Sequence, residues 1–200
     1  MKNIFLSIVL SVFTLIAMGT NPHTDHVRVN TDNSTVKWKG SKIADGHEGL
    51  IKIQKGVLMI EHGKLVGGEF GIDMTSIVNT DIESEKYKEM LEGHLKSDDF
   101  FNVEDFPTST INITKVLPIE TEDGNYLIMA DLTIKGITHA ITFQANVTIK
   151  GLHFLATAKI KIDRTKWDIK YNSGNFFKDL GDKLILDEIE FDVYLVSEKS

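Results

Sequence analysis

The chain has 200 residues, 42% of them apolar and 26% charged, with a formal net charge of -7. That length supports one good hydrophobic core, and the share of β-branched and aromatic residues excludes low-complexity disorder. Having no cysteine excludes disulfide scaffolding, thiol catalysis, thiolate-bound zinc or iron–sulfur sites and a lipid-modified N-terminal cysteine, while the acidic balance argues against nonspecific nucleic-acid binding and docking on anionic lipid.

The N-terminus reads as a leader. Lys2 precedes a mostly apolar run from Ile4 to Ile16, and small residues follow at Ala17, Gly19 and Thr20. One positive charge, a short apolar run and small residues mark a signal peptide, residues 1–19. The run is short for a membrane span, and no positive stop-transfer cluster follows it. The expectation is an exported protein, periplasmic or secreted, with no transmembrane segment after cleavage. Loss of Lys2 takes the charge from -7 to about -8. Residues 20–26 read as a flexible join, and residues 27–197 as one domain.

Along that domain the pattern is period-two alternation broken by turns. Val36 and Trp38 begin a strand that runs toward Ile43, and Gly46-His47-Glu48-Gly49 breaks it. Leu50 to Ile60 continues as strand, and Glu61-His62-Gly63-Lys64 reads as a hairpin turn. In the next strand Val66, Gly68, Phe70, Ile72 and Met74 share one face, and its glycines point to curvature or close backbone approach. Asp81 to Leu95 is the one convincing helix, with Tyr87, Met90 and Leu91 grouped and Gly93 near its end. Ser97 to Pro107 has neither period and reads as a long loop carrying Phe100, Phe101 and Phe106.

Four further strands centre on Ile111 to Val116, Tyr126 to Ile134, Ile141 to Ile149 and Phe154 to Ile162. A segment rich in Asn, Gly and aromatics follows from Lys166 to Phe177, and Ile189 to Leu195 closes the domain with a last alternating strand. A parallel α/β fold needs a crossover helix after most strands, so it is excluded. A β-sandwich remains open. An all-β, eight-stranded antiparallel barrel with one short helical insertion accounts better for the pattern, because closure removes the sheet edges.

The inward face of such a barrel is large and apolar, with Gly68, Ala130, Ala145, Ala156 and Ala158 interspersed. Eight strands enclose either a packed core or room for one small ligand, and both readings stay open at this point. The chemistry is sparse. There is no H-E-x-x-H, no nucleophile elbow and no paired-acid signature. The expectation is no catalytic residue and no metal site. His47, His94 and the Asp98-Asp99 pair, near presumed barrel ends, are the only motivation for an alternative hydrolase or isomerase acting on a lipid-like substrate.

The singled-out residues nevertheless form a recognisable order. Gly46-His47-Glu48-Gly49 is followed by Gly68-Glu69-Phe70-Gly71-Ile72-Asp73-Met74-Thr75-Ser76-Ile77, then by His94-Leu95-Lys96-Ser97-Asp98-Asp99-Phe100-Phe101-Asn102-Val103-Glu104-Asp105-Phe106-Pro107. Asp131-Leu132-Thr133-Ile134-Lys135-Gly136-Ile137-Thr138, Asp163-Arg164-Thr165 and Asp187-Glu188-Ile189-Glu190-Phe191 complete it. This resembles the YceI-like family of polyisoprenoid-binding, lipocalin-like exported proteins, over nearly the whole mature chain. The resemblance implies an extended barrel with an apolar tunnel that binds, transports or sequesters a long-chain isoprenoid or similar amphiphile. It implies no catalytic residues and no cofactor beyond a bound polyisoprenoid or quinone-like lipid. Trp167-Asp168 departs from it, since members usually show an aromatic followed by glycine.

Strand parity then nominates Phe70, Ile113, Leu132, Phe143, Phe154 and Trp167 for the tunnel wall, with Phe100, Phe101 and Phe176 at its entrance. The partner expected is an apolar small molecule and not a nucleic acid. A structural or signalling barrel with a solid core is the remaining alternative.

Overall fold

The computed structural model describes residues 23–198. The expected signal peptide, residues 1–19, lies outside the described residues, as does the start of the expected join. The elements are β1 (Thr24–Arg28), β2 (Thr35–Lys42), β3 (Gly46–Glu61), β4 (Lys64–Asn79), α1 (Glu85–Lys96), β5 (Thr108–Pro118), β6 (Tyr126–Ile134), β7 (Ile137–Lys150), β8 (His153–Asp163) and β9 (Ile185–Val196), with 3-10 turns at Arg164–Trp167 and Gly181–Lys183.

From β3 to β9 each strand pairs antiparallel with the next, and β2 pairs with both β3 and β9, which closes the barrel. β1 and β2 share one position: β1 lies beside Val57 to Glu61 of β3, and β2 beside Gly46 to Ile51. Nine strands therefore fill eight barrel positions, and the eight-stranded antiparallel barrel with one short helix stands. Closure pairs the backbone groups that an open sheet would leave at its edges.

The expected flexible join is shorter than residues 20–26. Thr24, Asp25 and His26 pair with Glu61, Ile60 and Met59. These polar residues carry no alternation; the edge of the long β3 beyond the end of β2 recruits them. The expected break at Gly46-His47-Glu48-Gly49 moves as well. Those residues open β3, and the turn lies at Ile43-Ala44-Asp45. Gly49 is a close approach of backbones: a Cβ there would stand 1.9 Å from the Val78 carbonyl oxygen and 2.6 Å from the Trp38 ring.

β4 does not alternate evenly. Ile60 faces Leu65 and Met59 faces Gly67, so Val66 is an extra residue of a bulge. Leu65 turns into the core and Val66 is left exposed, which corrects the expected face at its first member. A second irregularity follows at Asp73 to Ser76. Asp73 Oδ1 accepts from the Thr75 N–H at 3.0 Å and its hydroxyl at 2.6 Å, and the Ser76 hydroxyl donates to the Asp73 carbonyl at 2.6 Å. Ser76 Oγ in turn accepts from the Lys52 N–H at 2.8 Å. Bulges re-aim side chains; this one brings Ile77 and Asn79 into the barrel after Met74.

Asn79 ties β4 to the helix. Its N–H donates to Glu92 Oε1 at 2.7 Å, its amide to the Glu48 carbonyl at 3.0 Å, and its Oδ1 accepts from the Ile82 N–H at 2.9 Å. α1 starts at Glu85, later than the expected Asp81. Leu91 and Leu95, four residues apart, face the core. Tyr87 and Met90, grouped with Leu91 by the sequence, point outward and are 62% and 61% exposed.

Two hairpins use adjacent positive-φ residues, His62 (50°) with Gly63 (74°) and Lys135 (50°) with Gly136 (71°). Turns of this hand match the twist of the strands they join. One barrel end, at the β3–β4 and β7–β8 hairpins, is filled by the buried Val27, Val29, Ile60 and Phe154. The other is covered by α1, the segment that follows it, and the segment between β8 and β9.

Candidate functional site

The barrel encloses a cavity of about 630 Å³. Ligand pockets run from about 300 Å³ upward, so the solid-core alternative does not describe this interior. Phe70 on β4, Ile113 on β5, Leu132 on β6 and Phe143 on β7 line it. Phe100 and Phe101 line it too, and both are buried. They close over one end from the segment after α1.

Three nominated residues stand elsewhere. Phe154 points inward as parity requires and is 4% exposed, but it belongs to the closed end. It pairs with Ile149 at the β7–β8 hairpin, and its carbonyl accepts from the Ser197 N–H at 3.1 Å. Trp167 is 1% exposed and is not a wall residue. Its indole N–H donates to the Leu132 carbonyl at 3.2 Å, and His139 stands edge-on to it at 5.2 Å. It packs within the hydrophobic core against the β6–β7 hairpin without lining the cavity. Phe176 is 51% exposed, with Lys170 Nζ 5.1 Å from its ring centroid, and it does not reach the cavity. Asp168 takes φ of 60°, the left-handed conformation that favours glycine, and its N–H closes the 3-10 turn on the Thr165 carbonyl at 3.1 Å. The departure at this position thus keeps the backbone shape a glycine would serve.

Sequence reasoning assigned no role to Arg164. It is 1% exposed and lies at the covered end of the cavity. Its Nε, Nη1 and Nη2 donate to the carbonyls of Leu186 at 3.1 Å, Ile169 at 2.7 Å and Ile185 at 3.1 Å, and Nη2 stands 3.4 Å from Asp187 Oδ1. Burial lowers its pKa, against the pull of Asp187 and Asp163. Arg164 thereby ties the segment after β8 to the start of β9. The sequence signal was its place in the Asp163-Arg164-Thr165 motif, to which no role was attached.

His47 and His94 both border the cavity, each paired separately. His47 Nδ1 meets Asp81 Oδ2 at 3.0 Å, and His94 Nε2 meets Asp99 Oδ2 at 3.2 Å. Among the described residues neither imidazole hydrogen-bonds a hydroxyl, so neither has the nucleophile–base contact that acyl transfer needs. Among the same residues no three His, Asp or Glu side chains gather as a metal-holding group, and no helix is long and apolar enough to cross a membrane. The arrangement can enclose an apolar molecule, with its charged lining residues at one end.

Comparison with known proteins agrees with this architecture. The model of the YceI-like domain matches residues 27–197. The UPF0312 protein plu2095 of Photorhabdus laumondii is 31% identical over 98 residues, and the match covers 45% of each chain. This chain thus spans less than half the length of that curated relative. BcnA of Burkholderia cenocepacia superposes with a TM-score of 0.67 at 21% identity, over 85% of this chain and 99% of that one. A polyisoprenoid binding domain from Saccharophagus degradans, implicated in plant cell wall breakdown, gives 0.61 at 13% identity, over 90% and 100%. The YCEI protein of Campylobacter jejuni gives 0.52 at 16%, over the full length of both chains. At these identities the solved structures show a shared fold.

Proposed function

From a chain that belongs to the YceI-like family, we propose a non-enzymatic protein that binds, carries or sequesters a long-chain isoprenoid or similar amphiphilic lipid inside its barrel. The observation that carries this reading is the apolar cavity of about 630 Å³, walled by Phe70, Ile113, Leu132 and Phe143. Burying hydrocarbon there yields about 0.8 kcal/mol per methylene-sized group. A few isoprene units then reach micromolar affinity after association costs of at least about 4 kcal/mol. Such a site needs greasiness and length more than directed hydrogen bonds. A relative of the same fold is described as a polyisoprenoid binding domain, which supports the choice of ligand class. The apolar leader at residues 1–19 supports an exported location, periplasmic or secreted.

The test is native mass spectrometry and organic extraction of protein purified from its natural host. A co-purifying long-chain lipid is the expected result. Repeated recovery of empty protein that also fails to bind isoprenoids in titration would sink the reading.

A further inference from the structure

The charges that face the cavity are unevenly placed. All four non-histidine charged residues that line it stand at the end covered by α1: Lys42 as the last residue of β2, Arg164 after β8, and Asp182 and Lys183 before β9. Three cations thus meet one carboxylate, in a chain whose net charge is -7. The opposite end is filled by the buried Val27, Val29, Ile60 and Phe154, and none of the charged lining residues stands there.

Their partners differ. Lys42 Nζ stands 3.8 Å from Asp45, and Arg164 is held by carbonyls and Asp187. Lys183 makes no ion pair among the described residues, and it is exposed at the rim. Neutral donors stand at the same end. Tyr171, Asn172 and Ser109 border the cavity, and their side-chain polar groups make no hydrogen bond among the described residues. Ser109 is 4% exposed.

We infer that the cavity takes its amphiphile tail first and holds an anionic oxygen head group, carboxylate or phosphate, at the α1 end. Lys183 and Lys42 supply the charge, and Tyr171 and Asn172 the neutral donors. This rests on the lipid-binding reading above and adds the chemistry of the head. The physical reason is twofold. A charged head loses its hydration if it enters the apolar interior, so it stays at the rim. There, cations in a partly desolvated setting attract it more strongly than they do in bulk water.

Three probes with one tail separate the possibilities: geranylgeraniol, geranylgeranoic acid and geranylgeranyl monophosphate, titrated into the delipidated full domain. The acid, the phosphate or both bind about tenfold tighter than the alcohol at low salt. That advantage shrinks as salt screens the rim. Which anion is favoured identifies the head. In the K42E/K183E variant the preference disappears while the alcohol binds as before. If the double variant fails to fold, K183Q shows the same loss in smaller measure. Equal affinity for all three probes overturns the inference and leaves the lipid-binding reading standing. A preference that survives in the variants overturns the assignment to this rim. Failure of every probe to bind overturns both.

Discussion

The imidazole of His94 on α1 stands edge-on to the ring of Tyr171, with centroids 4.5 Å apart and planes at 89°. Phe100 completes the group, 5.0 Å from His94 and 5.5 Å from Tyr171. The helix, the segment after it and the segment between β8 and β9 therefore meet over one end of the cavity through aromatic edges. A contact of this kind is worth about 0.5–1.5 kcal/mol, small enough to break and re-form as a ligand passes.

Loss of that contact is expected to show first in kinetics. Tyr171→Ala should speed ligand release about fivefold, as a loss of about 1 kcal/mol implies. Tyr171→Phe should leave release near the native rate. Stopped-flow displacement of a fluorescent apolar probe reads both. Equal release from the native protein and Tyr171→Ala would show that the ligand leaves by another route.

The cavity wall offers a second test. Ala156 on β8 lines the cavity and faces Val147 on β7 and Leu195 on β9. Ala156→Phe places a ring where the guest would lie. Overpacking a full core costs about 1–3 kcal/mol, but here there is space, so the stability loss should fall at or below that range. Lipid affinity should drop by more than about tenfold. Calorimetric titration beside thermal unfolding separates the two effects, and unchanged affinity in a folded variant would place the ligand elsewhere.

Trp167 is expected to behave as core. Trp167→Phe removes the indole donor to the Leu132 carbonyl and should cost about 1–2 kcal/mol. Trp167→Ala should cost about 3–5 kcal/mol. Lipid affinity in Trp167→Phe should stay native, because the residue does not line the cavity. Urea unfolding and ligand titration of the same preparation check this. A large affinity loss with native stability would return Trp167 to the binding site.

Asp81 gives a pH signature. Burial works to raise its pKa, but hydrogen bonds from His47, the Glu48 N–H and Asn79 outweigh it and hold the carboxyl below its ordinary value of 3.8. A depressed carboxylate contributes stability that is fully present above the unfolded value and is lost as pH falls through the folded one. Asp81→Asn should therefore be less stable than the native protein at neutral pH, and the gap should close as pH drops below 3.8. Denaturant titrations at neutral pH and at about pH 3 measure it. A gap that stays constant with pH would mean that Asp81 acts through shape, not charge.

The legible parts of this protein were those that depend on which face a side chain occupies. Phe70, between the two irregularities of β4, and Phe143 on β7 both line the cavity on the face that parity nominates. Val66 failed because a bulge adds one residue and swaps the faces beyond it. Thr24 to His26 failed because their pairing is set by the length of β3 and not by their own composition. Grouping Tyr87, Met90 and Leu91 did not say which of them meets the core: the helix presents Leu91 and Leu95 to it and leaves Tyr87 and Met90 exposed.

Alternation and turn residues favoured an antiparallel barrel with an apolar inward face over a β-sandwich, and the motif order pointed to a family. What they left undecided was height along the barrel axis. Phe154 and Phe143 are both inward residues of adjacent strands, yet one plugs an end and the other walls a cavity. A period of two residues reports a face and carries no information about level. Level is set by strand tilt and stagger, which arise only when the sheet closes on itself. The grouping of Arg164, Lys183, Tyr171 and His94 at one end has the same origin: segments far apart in sequence fold over a rim that exists only in the closed barrel.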